Sequence, residues 1–427
     1  MIISPYKYAI GDHTIVISQA VMLRIIPLVT ILVCAHALTA DTQRTETFKN
    51  GAPRFHSEVR IAVDGYYSEN HHVITRDGYI LEMNRIPKPR FQFGPIRPRS
   101  KPVVFLMHGL QSAFTAFIAA GHRVALAYIL ADAGYDVWMG NARGVMNSRR
   151  HLWLNPDAEE DSVKFFDYTY EDVATKDLPA MIDYVLRITQ QEQLNYIGHS
   201  QGGTAFLVLN SLIPAYNSKF VSAHLLAGVG HQNYFPNSIL GVAAISTDLI
   251  LAFAVNSGAV ELLGPDNSNE HAVHLLHDEE ICSELEESSS IVCKIKSVVS
   301  VMRDILAPLE SVAGASIKQY AHYGQNIRDK SFRRWNYNPL MNLLVYGSVT
   351  PPEYDLSLIT ADVTMHYGLG DELLHEQDVL NMAKVIPNAK VRKVARDTFN
   401  HFDFVLASDS KELLTDYIIK RFNEKNM

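Results

Sequence analysis

The chain reads as an α/β protein, with a mostly parallel central sheet, helices on both of its faces and a helical cap inserted before the last strands. Three observations predict it. Short, largely apolar runs that end in turns and lead into helical patterns recur before residue 230, the pattern of strands covered on both faces, and strand-like runs return after residue 347. Between those limits the alternation of strand and helix stops. The run Leu194-Asn195-Tyr196-Ile197-Gly198-His199-Ser200-Gln201-Gly202-Gly203 carries a strand straight into a helix through a serine set between two glycines.

Along the chain, residues 1–40 read as a targeting region. Arg24 precedes an apolar stretch from Ile25 to Leu38, and Ala35, Ala37 and Ala40 are small residues suited to cleavage. Residues 1–21 make a poor n-region, so Met22 is a candidate start. The stretch is shorter than the roughly 20 residues a membrane span needs. Of the 3 cysteines, Cys34 lies in the segment to be removed, which leaves Cys282 and Cys293 as an even pair. In an oxidising compartment they are expected to be bridged.

Residues 41–229 are expected to form the first part of the α/β core. Pro102 to Met107 is a buried-strand run that ends in His108-Gly109-Leu110-Gln111, where a loop supplying an oxyanion donor belongs, and the Leu110 amide is the candidate. The G-x-S-x-G run is the nucleophile elbow of α/β-hydrolases. A turn that sharp strains the serine and brings chain close on both sides, so Gly198 and Gly202 answer a steric demand. Ser200 is the candidate nucleophile and the Gln201 amide the second oxyanion donor. His199 is expected to pack beside the serine and not to act as its base.

Residues 230–347 are expected to be the cap. Ile239 to Leu263 is strongly apolar but broken by Asp248, Asn256 and Gly258, and an acidic run from Asp278 to Ser290 follows. Residues 348–427 return to the core. Val363 to Tyr367 reads as a strand, Gly368-Leu369-Gly370-Asp371 turns off its end, and Lys390 to Val394 reads as the next strand, with a loop leading to His401. Serine, acid and histidine thus come in the order this fold uses. Asp371 would orient His401, which would take the Ser200 proton and return it to the leaving alcohol. Other acids and histidines compete for these roles. Asp378 sits in a helical pattern and Asp403 follows His401 too closely to reach around it, so each is read as a surface or capping acid whose loss should change little. His366 is mid-strand and points into the sheet layers.

Seven segments carry a resemblance over nearly the whole mature chain. They are His71-His72-Val73-Ile74-Thr75-Arg76-Asp77-Gly78-Tyr79-Ile80-Leu81, His108-Gly109-Leu110, Ala131-Asp132-Ala133-Gly134-Tyr135-Asp136-Val137-Trp138, Asn141-Ala142-Arg143-Gly144, Asp177-Leu178-Pro179-Ala180, Gly198-His199-Ser200-Gln201-Gly202 and Asn400-His401-Phe402-Asp403-Phe404. In this order they resemble the acid lipase family, which includes gastric and lysosomal acid lipases and many insect lipases. The resemblance implies a secreted or lysosomal esterase of neutral lipids, triacylglycerol or steryl ester. It implies Ser200, Asp371 and His401 as the triad, Leu110 and Gln201 as oxyanion donors, and a lid near Gly264 to Cys293. The chain departs from the family at Val145, at Gly203 and in having no Asn-x-Ser/Thr sequon.

A net charge of -8 argues against a nucleic-acid footprint. The chemistry read here needs neither metal nor cofactor, and the expected partner is a neutral lipid at a lipid–water interface. A lipid carrier that keeps the fold without catalysis is the contrasting class; an intact triad separates the two.

Overall fold

The runs read above as buried strands do form one sheet. The computed structural model describes residues 7–10, 13–16, 56–92, 94–95, 101–262, 264 and 313–426. The chain divides into two units, Met1–Ala52 and Pro53–Met427. In the first, Lys7–Ile10 and His13–Val16 pair as an antiparallel hairpin. The stretch from Met22 to Ala40, all three cysteines, and the expected lid apart from Gly264 lie outside the described residues.

In the second unit the main strands are β1 (Glu69–Ile74), β2 (Ile80–Ile86), β3 (Val103–Met107), β4 (Asp136–Gly140), β5 (Leu194–His199), β6 (Phe220–Leu226), β7 (Val363–Tyr367) and β8 (Ala389–Lys393). They lie side by side in the order β8-β7-β6-β5-β3-β4-β2-β1. β1 and β2 pair antiparallel, as do β2 and β4; all other neighbours are parallel. Every residue of β3, β4, β5 and β7 is buried, because helices cover both faces and leave no polar side to the pleat. The two edges differ. β1 alternates half-buried and exposed positions, while β8 is half-exposed and carries Lys390, Arg392 and Lys393, charges that discourage further pairing at an open edge. β8 begins one residue earlier than its sequence suggests.

Alternation along the strands sorts the two faces. Trp138, Phe105 and Tyr196 stand side by side on one face, where they meet Tyr184 of α2 (Leu178–Thr189) and Phe206 of α3 (Gln201–Leu212). On the other face His224 meets Phe422 of α8 (Asp416–Asn426), which also packs on Tyr135 just after α1 (Leu126–Asp132). Gln201 to Ser211 of α3 are all buried, so this helix is apolar all round as a central one must be.

Within 230–347 the described residues form α4 (Ser238–Ile245), α5 (Thr247–Ser257), α6 (Ile317–Asp329), α7 (Pro339–Tyr346) and a two-residue antiparallel pair joining Glu261–Leu262 to Ala315–Ser316. α4 and α5 are bent by 73° about their break, and among the described residues no single helix is long and apolar enough to cross a membrane. Val242, Ile245 and Leu249 on this pair remain largely exposed.

Candidate active site

The sheet order reverses at β3, and the candidate residues gather beyond the carboxyl ends of the strands around it, where crevices form in open α/β sheets. Ser200 stands between β5 and α3 at φ 51° and ψ -115°, a conformation that costs a non-glycine residue about 1–3 kcal/mol and is kept only where the surroundings impose it. The surroundings are backbone. A Cβ on Gly198 would lie 2.5 Å from the Gly202 carbonyl carbon and 2.7 Å from the Gly203 nitrogen, and one on Gly202 would strike the Met107 carbonyl oxygen. Neither obstacle can swing aside, so both positions require glycine.

The second loop comes from the end of β3. Gly109 passes so close to the serine that a Cβ there would lie 3.0 Å from Ser200 Cβ, which brings the Leu110 backbone beside the candidate nucleophile. His108 anchors this loop: its Nδ1–H donates to the Gly109 carbonyl at 2.7 Å, and its Nε2 accepts the Ala142 amide at 3.1 Å. Both bonds need a neutral ring, and burial lowers the His108 pKa to about 4. The Gln201 amide is the first of α3, so it has no acceptor within its own helix.

The third and fourth loops follow β7 and β8. His401 Nδ1–H donates to Asp371 Oδ2 at 2.8 Å and Oδ1 at 3.0 Å, and Asp371 Oδ1 accepts the Leu373 and Leu374 amides at 2.8 and 2.9 Å. The carboxyl is therefore fixed before it orients the ring. The Gly370 amide donates to the Phe399 carbonyl at 3.1 Å, which joins the two loops directly. Asp403 accepts the Asn400 amide at 2.8 Å and pairs with Arg396 at 2.7 Å, apart from the Asp371–His401 pair. His366 is buried and points into the sheet, where its Nε2 lies 2.8 Å from Nδ1 of His224.

Two residues differ from expectation. Asp378 is not a surface acid but fully buried, and it accepts the amides of Asn233 and Tyr234 at 3.1 and 3.0 Å, fixing the entry to the cap. Its place in the helical pattern gave no hint of a partner about 145 residues earlier. Asp378→Asn turns an NH2 toward one of those amides, and we expect a loss of about 1–3 kcal/mol, seen as a lower Tm with kcat of the folded enzyme unchanged. An unaltered Tm would contradict this. His199 does more than pack: its Nε2–H donates to the His401 carbonyl at 2.8 Å, tying elbow to histidine loop. Burial lowers its pKa to about 3 and keeps it neutral.

Ser200, His401, His199 and Leu110 line one cavity of ≈ 1110 Å³, counting space that opens to solvent. Its far wall is apolar and comes from residues 230–347, with Leu240, Ile250, Leu251, Tyr320 and Ile327 among its side chains. Other segments of the resemblance serve the scaffold. Arg143, 1% exposed, pairs with Asp177 at 2.7 Å and Asp77 at 2.8 Å and lies 4.0 Å over the Tyr79 ring. Burial opposes ionisation here, but Arg143 outweighs it and holds the Asp77 carboxyl well below the usual carboxylate range. Three of the seven segments thus meet in one buried ion cluster.

Comparison with known proteins agrees with this architecture. The profile of the alpha/beta hydrolase fold matches residues 102–408, and that of a partial alpha/beta-hydrolase lipase region matches residues 58–121. Lipase 1 of Drosophila melanogaster is 35% identical over 365 residues, covering 83% of this chain and 76% of its own. Gastric triacylglycerol lipase of Rattus norvegicus is 33% identical over 368 residues, covering 84% and 89%. A solved structure of DcsB in complex with its substrate analogue superposes with a TM-score of 0.51 at 10% identity, over 84% of this chain and 100% of that one, a likeness of fold alone. The chain belongs to the lipase family of the α/β-hydrolases, the family of the gastric and insect lipases, and is a carboxylic ester hydrolase.

Proposed function

We propose that the chain hydrolyses neutral lipid esters, triacylglycerol or steryl ester, through an acyl-enzyme on Ser200, after entering the secretory pathway for export or for the lysosome. One observation carries the reading: a strained serine and a histidine bonded to a buried carboxylate open into the same apolar cavity. His401, held by Asp371 through Nδ1, takes the Ser200 proton on Nε2 as the oxygen attacks the ester carbonyl. The Leu110 and Gln201 amides receive the negative charge that develops on the carbonyl oxygen. Collapse breaks the ester C–O bond, and His401 returns the proton to the departing alcohol. Water, deprotonated by the same ring, then frees the fatty acid and restores Ser200.

The cavity wall suits an acyl chain, and the exposed Val242, Ile245 and Leu249 give the cap an apolar surface of the kind that meets a lipid–water interface. The relatives named gastric triacylglycerol lipase support that substrate class. Release of fatty acid from emulsified trioleoylglycerol and cholesteryl oleate tests it. We expect turnover of at least one. If p-nitrophenyl butyrate is hydrolysed while neither lipid is, the protein is a narrower esterase and the reading fails.

A further inference from the structure

The loop carrying Leu110 is held on one side by His108. On its other side stands Gln111, a residue with two unfavourable features. Its φ is 55°, the left-handed region that favours glycine. It is 1% exposed, and its side-chain Oε1 has no hydrogen-bond partner among the described residues. Strain and an orphaned buried acceptor in one residue persist where a specific placement is being enforced.

The placement is visible in its remaining bonds. Gln111 Nε2 donates to the Leu262 carbonyl at 2.9 Å, and the Gln111 carbonyl accepts the Ala313 amide at 3.0 Å. Leu262 belongs to one strand of the short pair at the base of the cap, and Ala313 leads into the other. That base is itself rigid: Arg149 pairs with Glu261 at 2.8 Å with both side chains buried, and the Ile317 amide donates to the Val260 carbonyl at 2.9 Å. A single residue therefore clamps both strands of the cap base to the turn next to the nucleophile.

We propose that Gln111 is a positioning residue for catalysis, which sets the Leu110 amide against the oxyanion by referring it to the cap base. The proposal rests on the reading of Leu110 as an oxyanion donor. Such a residue acts on the transition state and not on substrate binding, so its loss should fall on kcat and spare KM.

The test uses the full chain and the soluble ester p-nitrophenyl butyrate. Gln111→Leu keeps the volume but cannot donate; Gln111→Gly relieves the positive φ and removes the side-chain bond to Leu262 while keeping the carbonyl that accepts from Ala313. Ala313→Pro deletes the donor to the Gln111 carbonyl and leaves Gln111 in place. For the two Gln111 variants we expect kcat to fall about 10- to 100-fold, less than the 10²–10³ of losing an oxyanion donor outright, with KM within about two-fold. Affinity for an alkyl boronic acid, whose tetrahedral adduct occupies the oxyanion position, should weaken by the same factor as kcat. Ala313→Pro should show a smaller loss in the same direction. Full kcat in Gln111→Gly would mean that the residue only shapes the turn, and unchanged boronate affinity would mean that it acts elsewhere; either result overturns the proposal. Failure of the underlying reading looks different, because Leu110→Pro, which removes the amide N–H itself, would then keep both kcat and boronate affinity whatever Gln111 does.

Discussion

Ser200→Ala is expected to lower kcat by a factor on the order of 10⁴ to 10⁶, the loss that follows when one member of a concerted serine–histidine–acid unit is removed. The fold should be untouched. Alanine meets the same φ of 51° between the same two glycines, and the serine side chain supplies no hydrogen bond to its helix. Tm should therefore match the parent while initial-rate kinetics on p-nitrophenyl butyrate collapse. His401→Ala should lose a similar amount. Asp371→Asn should also fall steeply, because the amide that replaces the carboxylate cannot accept both from Nδ1–H and from the Leu373 and Leu374 amides as the carboxylate does. More than about a hundredth of parental kcat in Ser200→Ala would remove the serine from its role.

Acid should destabilise the protein through its buried histidines. His108, His199, His224, His322 and His366 are held below the ordinary value of 6.5, in each case chiefly by desolvation, with His108 at about 4 and His199, His224 and His322 at about 3. A depressed pKa means that the unfolded chain binds the proton first. Stability from each ring is thus complete above about pH 6.5 and declines toward the folded value by ~1.4 kcal/mol per pH unit. Carboxylates held low by their partners, Asp77 and Asp362 among them, add to the loss at still lower pH. We expect Tm, measured by calorimetry, to fall progressively from pH 6.5 to 4. A constant Tm over that interval would show that these rings are not buried as neutral groups.

Much of the scaffold was legible because its strands are unusually plain. Val103 to Met107 is covered on both faces, so its burial appears in the sequence as an unbroken apolar run, and Val363 to Tyr367, equally buried, is interrupted only by Thr364 and His366. Ser200 and Asp371 could be proposed because each follows a buried strand at a turn, and His401 because it follows the next strand in the expected chain order. Pairings between remote segments were not legible. His199 reads as a bulky neighbour of the serine until the His401 carbonyl, 202 residues away, is brought to its Nε2. Asp378 reads as an ordinary helix acid until the cap entry arrives above it. In both cases the partner is a backbone group, which carries no residue identity for a pattern to detect.

The bond between His199 and the His401 carbonyl has a consequence for how the protein is made. The nucleophile elbow leaves the ribosome about two hundred residues before the chain that completes it, and domains generally fold as their parts emerge. During that interval Ser200 has neither the base nor the orienting acid proposed for it, both of which arrive with the two strands at the far edge of the sheet. On the proposed assignment, hydrolytic competence therefore appears only when the last strands dock.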